Sequence, residues 1–320
     1  MENKIRFGVL GCAGIAVKHV IPAMIHACNA EPYAIASRSQ EKVDSAIAEF
    51  GFKKGYMSYD DVLSDPDVDA VYIPLPNALH KEWVIKAANA GKHILCEKPL
   101  GLGAFEVEEM IETAQRNNVK LMEAYMYRFT SRTQKLKELL DNKVVGEISQ
   151  VISNYSFYLE DYSNIRVNSS LGGGSLHDVG CYPVNLLGWI TNDYPESIVA
   201  QMIEKNGVDI SLTASLRYKN GIMGTVNCSF LGESEEVTEI TGTKGTLIIR
   251  DTYYDSNLPI LFYSGDNETV YPVEACERYT KEIEAFSDCI LNNKDVPLSL
   301  SESIRNNRLI EEIYKAAKNG

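Results

Sequence analysis

The sequence has no cluster of basic residues, and its basic residues are outnumbered by its acidic ones. It contains 31 lysines and arginines against 44 aspartates and glutamates, so its formal net charge is -13. This charge repels the phosphates of nucleic acids and of anionic membrane surfaces. We therefore expect neither nucleic acid nor a membrane among its partners.

Paired cysteines and long hydrophobic runs are missing as well. The seven cysteines are scattered without a Cys-x-x-Cys pair, which suits reduced thiols better than a disulfide framework or a structural zinc site. No apolar run approaches the ~20 residues that cross a bilayer, and the N-terminus enters a strand pattern without a signal-peptide core. These absences predict a cytoplasmic protein without a metal site.

The 320 residues are enough for two domains with separate cores. Through residue 122 strand and helix patterns alternate, which predicts an α/β fold with a doubly wound, parallel sheet. From Gly146 apolar and polar residues alternate, as in antiparallel strands. For residues 123–320 we predict an α+β domain with a large antiparallel sheet and with C-terminal helices able to pack back on the first domain.

A run of small residues follows the first predicted strand, Ile5–Leu10. Gly11-Cys12-Ala13-Gly14-Ile15-Ala16 precedes a helical pattern that extends to about Cys28. Strand, tight turn and helix in this order are the context of a dinucleotide fingerprint, because small residues let backbone amides reach a pyrophosphate at a helix N-terminus. Alanine stands where the second and third glycines of that pattern normally lie. The predicted cofactor contacts are Gly11, Ala13, Gly14, Ile15 and Ala16.

The second predicted strand, Tyr33–Ala36, ends in Ser37-Arg38-Ser39. An acid ~20 residues after the glycines would bind the adenine-ribose hydroxyls of NAD, whereas an arginine accommodates the 2′-phosphate of NADP. The only nearby acid, Glu31, lies at the other end of the strand. A hydroxyl beside a guanidinium can clamp a phosphate, so we predict NADP(H) rather than NAD(H). The competing interpretation makes Ser37 a helix N-cap and Arg38 a solvated residue.

Two further strands end in residues with cofactor-binding chemistry. The buried pattern Ala70–Ile73 leads to Leu75, Asn77 and His80, at the carboxyl end of a strand, where ligands bind in open α/β sheets. We predict that these three residues contact the cofactor and that Asn77 caps the next helix. A structural histidine near a helix cap is the alternative for His80.

The apolar run His93–Cys96 stops abruptly in Glu97-Lys98-Pro99. A buried strand that ends in charge delivers that charge to the edge of the sheet. Proline restricts the residue before it, so Lys98 would lie on a stiff turn. We predict that Glu97 and Lys98 contact the cofactor and that Lys98 is catalytic. A surface ion pair followed by a helix-starting proline is the alternative.

The second half contains three consecutive glycines, Gly172–Gly174, followed by Asp178 and Tyr182. The glycines permit close approach of another segment or of a ligand. Asp178 and Tyr182 are four residues apart and share a face if a helix begins there, which would bring an acid and a phenol together. An acid at a helix start beside a core tyrosine is the competing interpretation.

Taken together, these motifs resemble the glucose-fructose oxidoreductase and inositol dehydrogenase (Gfo/Idh/MocA) family over nearly the whole chain. Tyr182 stands where inositol-dehydrogenase-like members have histidine, so the chain is more similar to the dihydrodiol/xylose dehydrogenase and glucose-fructose oxidoreductase branch. Ala13, in place of the second glycine, is a second departure and can change the fit around the pyrophosphate. The motifs that carry the resemblance are the glycine-rich turn, Pro76-Asn77-x-x-His80, Glu97-Lys98-Pro99, Met122-Glu123-Ala124 leading to Tyr127-Arg128-Phe129, and Gly172-Gly173-Gly174 leading to Asp178 and Tyr182.

The resemblance implies a Rossmann domain, an open-sheet domain that often forms dimers or tetramers, and a site beside the nicotinamide lined by Lys98, Asp178 and Tyr182. A phenol of pKa ~10 can exchange a proton near neutrality only if positive charge lies close, which Lys98 and an oxidised nicotinamide would supply. Asp178 would hold the lysine ammonium or a substrate hydroxyl. The residues predicted to bind the hydroxyls of a sugar are Tyr125, Arg166 and His177.

These residues predict an NADP(H)-dependent oxidoreductase that transfers hydride to or from a CH–OH carbon of a small molecule, namely a sugar, a sugar derivative or a cyclic diol. A non-catalytic dinucleotide-binding sensor and a nicotinamide-assisted glycoside-cleaving enzyme are the alternatives; the presence of Lys98 and Tyr182 weighs against the sensor. A strand pattern with Ser211, Thr213 and Ser215 on one face predicts a homo-oligomer that buries this face.

Overall fold

The computed structural model describes residues 4–319 and divides into two compact units. The first consists of the chain up to Met126 together with Tyr279–Ile304, and the second of Tyr127–Arg278 together with the residues from Arg305 onward. The predicted boundary at residue 122 falls inside the strand Leu121–Ala124, which pairs with the sheet of the first unit as far as Ala124.

The first unit contains a six-stranded sheet and the helices between its strands. Its strands are β1 Ile5–Leu10, β2 Ala30–Ala36, β3 Lys54–Tyr56, β4 Ala70–Ile73, β5 His93–Glu97 and β6 Leu121–Ala124, and its α-helices in this part of the chain are α1 Ile21–His26, α2 Gln40–Phe50, α3 Tyr59–Ser64, α4 His80–Asn89 and α5 Ala104–Arg116.

The strand order is β3-β2-β1-β4-β5-β6 and every pair is parallel, which is the Rossmann topology. This confirms the predicted class of the first sheet. All four residues of β4 are buried, because helices cover both faces of a doubly wound sheet. The edge strand β3 was not predicted, since Lys-Gly-Tyr offers no apolar run.

The second unit contains an eight-stranded sheet in the order β14-β13-β12-β11-β7-β10-β9-β8. It is antiparallel, as predicted, except that β10 runs parallel to β7. Its elements are α6 Ser131–Asp141, β7 Ile148–Tyr158, α7 Cys181–Thr191, β8 Ser197–Lys205, β9 Val208–Arg217, β10 Met223–Ser229, β11 Leu231–Gly242, β12 Gly245–Arg250, β13 Ile260–Ser264 and β14 Asn267–Tyr271.

Strand β9 alternates between the two faces of this sheet as its sequence predicted. Leu212, Ala214 and Leu216 are buried, whereas Thr213 and Ser215 are exposed. The last two helices are α8 Arg278–Leu291 and α9 Leu300–Asn319. Within residues 4–319 no helix is both long and apolar enough to cross a membrane.

Candidate active site

The glycine-rich turn follows β1 directly. Gly11 has a φ of 114°, a left-handed conformation that favours glycine. Gly14 is exposed, and no atom lies within 4 Å of the position a Cβ would take there, so the backbone is open to a ligand. The chain then enters a wide π-helical turn, Ala16–Val20, which continues into α1. This geometry suits the predicted approach of a pyrophosphate.

Ser37 and Arg38 follow β2, beside the glycine-rich turn. The helix N-cap is Ser39, which accepts a hydrogen bond from the Lys42 amide, so the interpretation of Ser37 as the N-cap is wrong. Ser37 is buried and its hydroxyl accepts a bond from the Ser39 amide, whereas Arg38 and Lys42 are exposed. Burial raises the pKa of the Cys12 thiol, while a hydrogen bond with Ser37 and the charge of Lys42 lower it. Lys42 therefore adds a cation that the sequence reasoning missed.

The segment after β4 holds His80 away from solvent. Asn77 is the first residue of a single 3₁₀ turn, Asn77–Leu79, whose N-cap is Pro76, so the prediction of Asn77 as a capping side chain is wrong. His80 is fully buried, with Nδ1 2.9 Å from the Pro99 carbonyl oxygen and Nε2 2.8 Å from that of Leu75. Burial lowers the pKa of His80 and the charge of Lys98 adds to this, against the two carbonyl contacts. The structure favours the structural alternative for His80.

The Glu97-Lys98-Pro99 turn lies at the carboxyl end of β5, as predicted, and contains a cis Lys98-Pro99 bond. The buried Tyr72 hydroxyl donates a 2.6 Å hydrogen bond to the Glu97 carboxylate. Glu123, at the end of β6, accepts a 2.8 Å hydrogen bond from the Leu100 amide. Side chains from both neighbouring strands thus fix this turn.

The glycine triplet of the second unit lies against other backbone and a buried carboxylate. A Cβ on Gly173 would lie 2.5 Å from the Arg166 carbonyl oxygen. One on Gly174, whose φ is 121°, would collide with the Asp209 carboxylate and lie 2.7 Å from the Tyr314 hydroxyl. Asp209 accepts hydrogen bonds from Ser175 Oγ at 2.5 Å, the amide of residue 176 at 2.8 Å and the Tyr314 hydroxyl at 2.6 Å. The triplet therefore serves close packing within the protein.

Asp178 and Arg166 form an ion pair in the second unit. The Nε of Arg166 donates a 2.7 Å hydrogen bond to Oδ2 of Asp178, and both side chains are partly exposed. Asp178 is the largest cause that raises the pKa of Arg166, and Tyr155 and Tyr182 raise it further. Asp178 lies in the π-helical turn Leu176–Gly180, and Tyr182 lies in the first turn of α7. The acid and the phenol thus lie on one continuous helical segment, next to a guanidinium.

Tyr182 belongs to a cluster of four tyrosine rings. Its ring centroid lies 5.9 Å from that of Tyr127, 5.4 Å from that of Tyr155 and 5.2 Å from that of Tyr253. Such spacings are typical of packed aromatic pairs. Tyr182 is nearly buried, so its ring orientation is fixed by its neighbours.

A buried carboxyl supports this cluster. Glu236 accepts a 3.1 Å hydrogen bond from the Tyr253 amide, and burial raises its pKa to about 7, while bonds with the Tyr253 backbone and the Tyr155 side chain lower it. Burial, and next the charge of Glu236, raise the pKa of Tyr155. These residues were not predicted, because an acid and a tyrosine in separate strands carry no shared local motif.

The other two predicted substrate contacts have different surroundings. Tyr125 is fully buried in the first unit, which favours a packing role. His177 is half-buried, with Nδ1 3.3 Å from the Gly173 carbonyl oxygen and its ring 5.0 Å from that of Tyr314. Lys98 lies in the first unit, and Asp178 and Tyr182 lie in the second, so their action in a single site stays a prediction. Among residues 4–319 no group of three His, Cys, Asp or Glu side chains could hold a metal ion.

Comparisons with known proteins cover the same two regions. Residues 5–125 match the GFO_IDH_MocA family, described as an oxidoreductase family with an NAD-binding Rossmann fold, and residues 133–248 match the GFO/IDH/MocA C-terminal domain. A D-xylose 1-dehydrogenase (NADP(+)) of Haloferax volcanii is 36% identical over 320 residues, which cover 98% of each chain. A trans-1,2-dihydrobenzene-1,2-diol dehydrogenase of Xenopus tropicalis is 34% identical over 72% of this chain and 68% of the relative.

A solved structure agrees with this relationship. The 3-ketoreductase KijD10 from Actinomadura kijaniata, in complex with NADP and TDP-benzene, superposes with a TM-score of 0.93 at 27% identity over 98% of both chains. The resemblance inferred from the motifs is thus confirmed: the chain belongs to the Gfo/Idh/MocA family of oxidoreductases.

Proposed function

We propose that this protein is an NADP(H)-dependent oxidoreductase that transfers hydride between the nicotinamide and a hydroxyl or carbonyl carbon of a sugar, a sugar derivative or a cyclic diol. The observation that carries the proposal is the Asp178–Arg166 ion pair beside Tyr182, which combines an acid, a cation and a phenol in a family of oxidoreductases. Relatives with the printed activities of an NADP(+)-linked xylose dehydrogenase and a dihydrodiol dehydrogenase support the same substrate range.

The residues around the first turn suit NADP. The open backbone at Gly14 leaves room for a pyrophosphate. The exposed cations Arg38, in the loop after β2, and Lys42, in the first turn of α2, lie in the region where a 2′-phosphate binds in this fold. In our proposal the cofactor contacts come from the glycine-rich turn, Ser37, Arg38 and the ends of β4 and β5.

Cofactor preference can be tested by titrating NADPH and NADH against the wild type and Arg38→Ala. The loss of a charge-assisted hydrogen bond should weaken NADPH binding by ~1.5–3 kcal/mol and leave NADH binding nearly unchanged. Glu49→Ala, an exposed change on α2 after the phosphate-binding end, serves as the control. A wild type that prefers NADH would refute this part of the proposal.

The chemical step divides between two kinds of side chain. When bound, the nicotinamide supplies or accepts the hydride. Tyr182 moves the proton on or off the reacting oxygen through its phenolic Oη, and Lys98 contributes positive charge that favours the phenolate. Asp178, held by Arg166 at 2.7 Å, orients the Lys98 ammonium or a substrate hydroxyl. His177 and Arg166 are our proposed substrate contacts.

A substrate panel tests the proposed reaction. Aldoses, sugar derivatives and cyclic diols are offered with NADP⁺, and the corresponding carbonyl compounds with NADPH, while absorbance of the reduced nicotinamide is recorded. Turnover of at least one class supports the proposal. Tight NADPH binding without turnover of any class would favour a sensor, and release of a glycoside aglycone without net cofactor reduction would favour glycoside cleavage.

We also propose that residues 1–122 form the cofactor-binding part, that residues 123–320 carry substrate contacts and a subunit interface, and that the protein works in the cytoplasm as a homodimer or tetramer. Seven cysteines without a disulfide agree with a reducing compartment. The outer sheet face supports an interface, because Val199, which is 66% exposed, is paired with Ser215, and Ile203, which is 56% exposed, is paired with Ser211. Exposed apolar side chains on a flat sheet face are typical of subunit contacts.

Light scattering at micromolar concentration tests the assembly. Thr213→Arg places a charge at the middle of this exposed face and should shift the protein to monomers, whereas Glu49→Arg on α2 should not. A wild type that is monomeric would contradict the proposal.

A further inference from the structure

Glu123 is a buried acid whose two carboxylate oxygens contact different segments of the first unit. Only 1% of the residue is exposed. Its Oε1 accepts a 2.8 Å hydrogen bond from the Leu100 amide, and its Oε2 accepts a 2.6 Å hydrogen bond from the Ser303 hydroxyl. A buried carboxylate is costly unless it is paired, so a core position of this kind calls for an explanation.

The turn that carries Lys98 is held at the two residues that follow the lysine. The Pro99 carbonyl oxygen contacts His80 Nδ1, and the Leu100 amide donates to Glu123. His80 and Glu123 come from different elements, α4 and β6, so the turn is fixed from two sides.

The charges around Glu123 come from each element packed against it. Burial raises its pKa to about 7, and Glu302 on α9 adds to the rise. The hydrogen bonds from Ser303 and the Leu100 amide oppose this, as does the positive charge of Lys98. Cys96, its register partner on β5, is a buried thiol whose pKa is raised well above its ordinary value by burial. Near neutral pH the carboxyl can therefore exist in either protonation state.

We propose that Glu123 is a positioning residue for the hydride transfer assigned above: it fixes the Lys98–Leu100 turn through the Leu100 amide, and the charge on its carboxyl is coupled to the charge on Lys98. The kinetic consequences rest on the proposed function, whereas the coupling itself is a property of the cofactor-free protein. The competing explanation is a purely structural tie between α9 and the turn.

The coupling is measured first, without cofactor. Infrared spectroscopy follows the carbonyl stretch of the protonated acid during a pH titration, in a Glu236→Gln background that removes a second carboxyl with a pKa near 7. The band that disappears in Glu123→Gln belongs to Glu123. In Lys98→Met its midpoint should rise by roughly half to one pH unit, because a positive charge no longer favours the carboxylate. An unchanged midpoint would overturn the coupling.

The kinetic arm separates charge from geometry. Glu123→Gln keeps an acceptor for the Leu100 amide and a partner for Ser303, so NADPH affinity and thermal midpoint should stay close to those of the wild type. The wild type should show an inflection of kcat/KM near pH 7, and Glu123→Gln should lose it, since no proton can be gained or lost there. Glu123→Ala also removes the acceptor and should lower kcat by ~10-fold or more.

The remaining variant, Ser303→Ala, tests the hydrogen bond that joins Glu123 to α9. Ser303→Ala removes the hydroxyl contact but leaves the acid and the Leu100 bond, so the inflection should persist. A Glu123→Gln profile that superimposes on that of the wild type, with only a changed thermal midpoint, would leave Glu123 as a structural tie. If Lys98→Met retains full turnover while the Glu123 midpoint still shifts, the catalytic role proposed for Lys98 fails and the coupling survives.

Discussion

The two units fix their chemically important segments in different ways. In the first unit the Lys98 turn is held by Glu123 and His80, two buried titratable side chains. In the second unit the start of the helix that carries Asp178 is held by Asp209, and a Cβ on Gly174 would collide with that carboxylate. The Lys98 turn depends on two buried groups whose pKa values are shifted, whereas the other segment also depends on the absence of a side chain at Gly174.

This difference predicts different sensitivities. Burial raises the pKa of Glu123 and lowers that of His80, so pH changes the charges around the Lys98 turn. The Gly174 segment is restricted sterically, because its φ of 121° and the close carboxylate exclude any larger residue. The Lys98 turn should respond to pH and charge substitution, and the Gly174 segment to side-chain size.

The largest effect on kcat should come from changing the proposed catalytic residue of each unit, Lys98 in the first and Tyr182 in the second. Lys98→Met and Tyr182→Phe should each lower kcat by ~10²–10⁴, the range for loss of a positioned acid or base group. Because the two groups are proposed to act together, the double variant should lose scarcely more than the worse single one. NADPH affinity should change little in Tyr182→Phe. The rate of single-turnover hydride transfer should be measured for all four proteins: the wild type, the two single variants and the double variant.

The same proteins reveal the alternative. If Lys98 were only part of a surface ion pair and Tyr182 only a core side chain, Lys98→Met would turn over normally and Tyr182→Phe would lower the thermal midpoint. Unchanged rates with a lowered midpoint would remove the basis for comparing the two segments as parts of one active site.

Gly174→Ala tests the steric half of the comparison. The added methyl would collide with the Asp209 carboxylate at a left-handed φ, and the free energy of unfolding should fall by about 3–4 kcal/mol. Gly221→Ala is the matched control, with a φ of 88° and no atom within 4 Å of its Cβ position. It should cost only the backbone strain, ~1–2 kcal/mol. Equal losses in denaturant unfolding would show that close packing at Gly174 is unimportant.

Local sequence patterns predicted those strands whose apolar residues stand out clearly from the residues that follow them. The predicted strands Ile5–Leu10 and Ala70–Ile73 have the bounds of β1 and β4, because each is a largely apolar run followed by a glycine or a proline. β3 and the parallel pairing of β7 with β10 escaped prediction. A three-residue polar strand has no period, and pairing of distant strands is set by tertiary packing.

Contacts between residues distant in sequence were also missed at the candidate active site. The Glu97-Lys98-Pro99 turn and the glycine triplet were found because their residues are adjacent in sequence. The groups that hold them were missed: Ser303 is 180 positions from Glu123, and Tyr314 is 105 positions from Asp209. A buried acid and its donor become recognisable only when the fold brings them together. The periodicity of apolar residues carries no information about such hydrogen bonds between distant residues.

In the second unit, Glu236 should make the stability of the protein depend on pH. Burial raises the pKa of Glu236 from its ordinary 4.5 to about 7, so the folded state binds this proton more tightly than the unfolded state. The contribution is fully present below about pH 4.5 and is lost as pH rises through about 7. It amounts to at most roughly 3 kcal/mol, at about 1.4 kcal/mol per pH unit. Glu236→Gln should flatten this part of the curve measured by urea unfolding.

An unaltered slope in Glu236→Gln would assign the pH dependence to other groups, with Glu123 as the first to examine. The buried carboxyl beside the tyrosine cluster would then contribute no proton-sensitive stability to the second unit.

The smallest expected effect concerns the phenol that bonds Asp209. Tyr314→Phe removes the 2.6 Å hydrogen bond to Oδ1 but leaves the bonds from Ser175 and the amide of residue 176, so stability should fall by only ~1–2 kcal/mol. Tyr33→Phe is the matched control, because it removes a 3.0 Å hydroxyl bond to Asp67 in the first unit. Both variants should lose similar stability in urea unfolding, whereas only Tyr314→Phe should lower kcat, by a few-fold, since only its carboxylate partner holds the segment that leads to Asp178. Equal kcat values for the two variants would mean that Asp209 holds this segment adequately through its two remaining bonds, and that the Tyr314 hydroxyl is not needed to position Asp178.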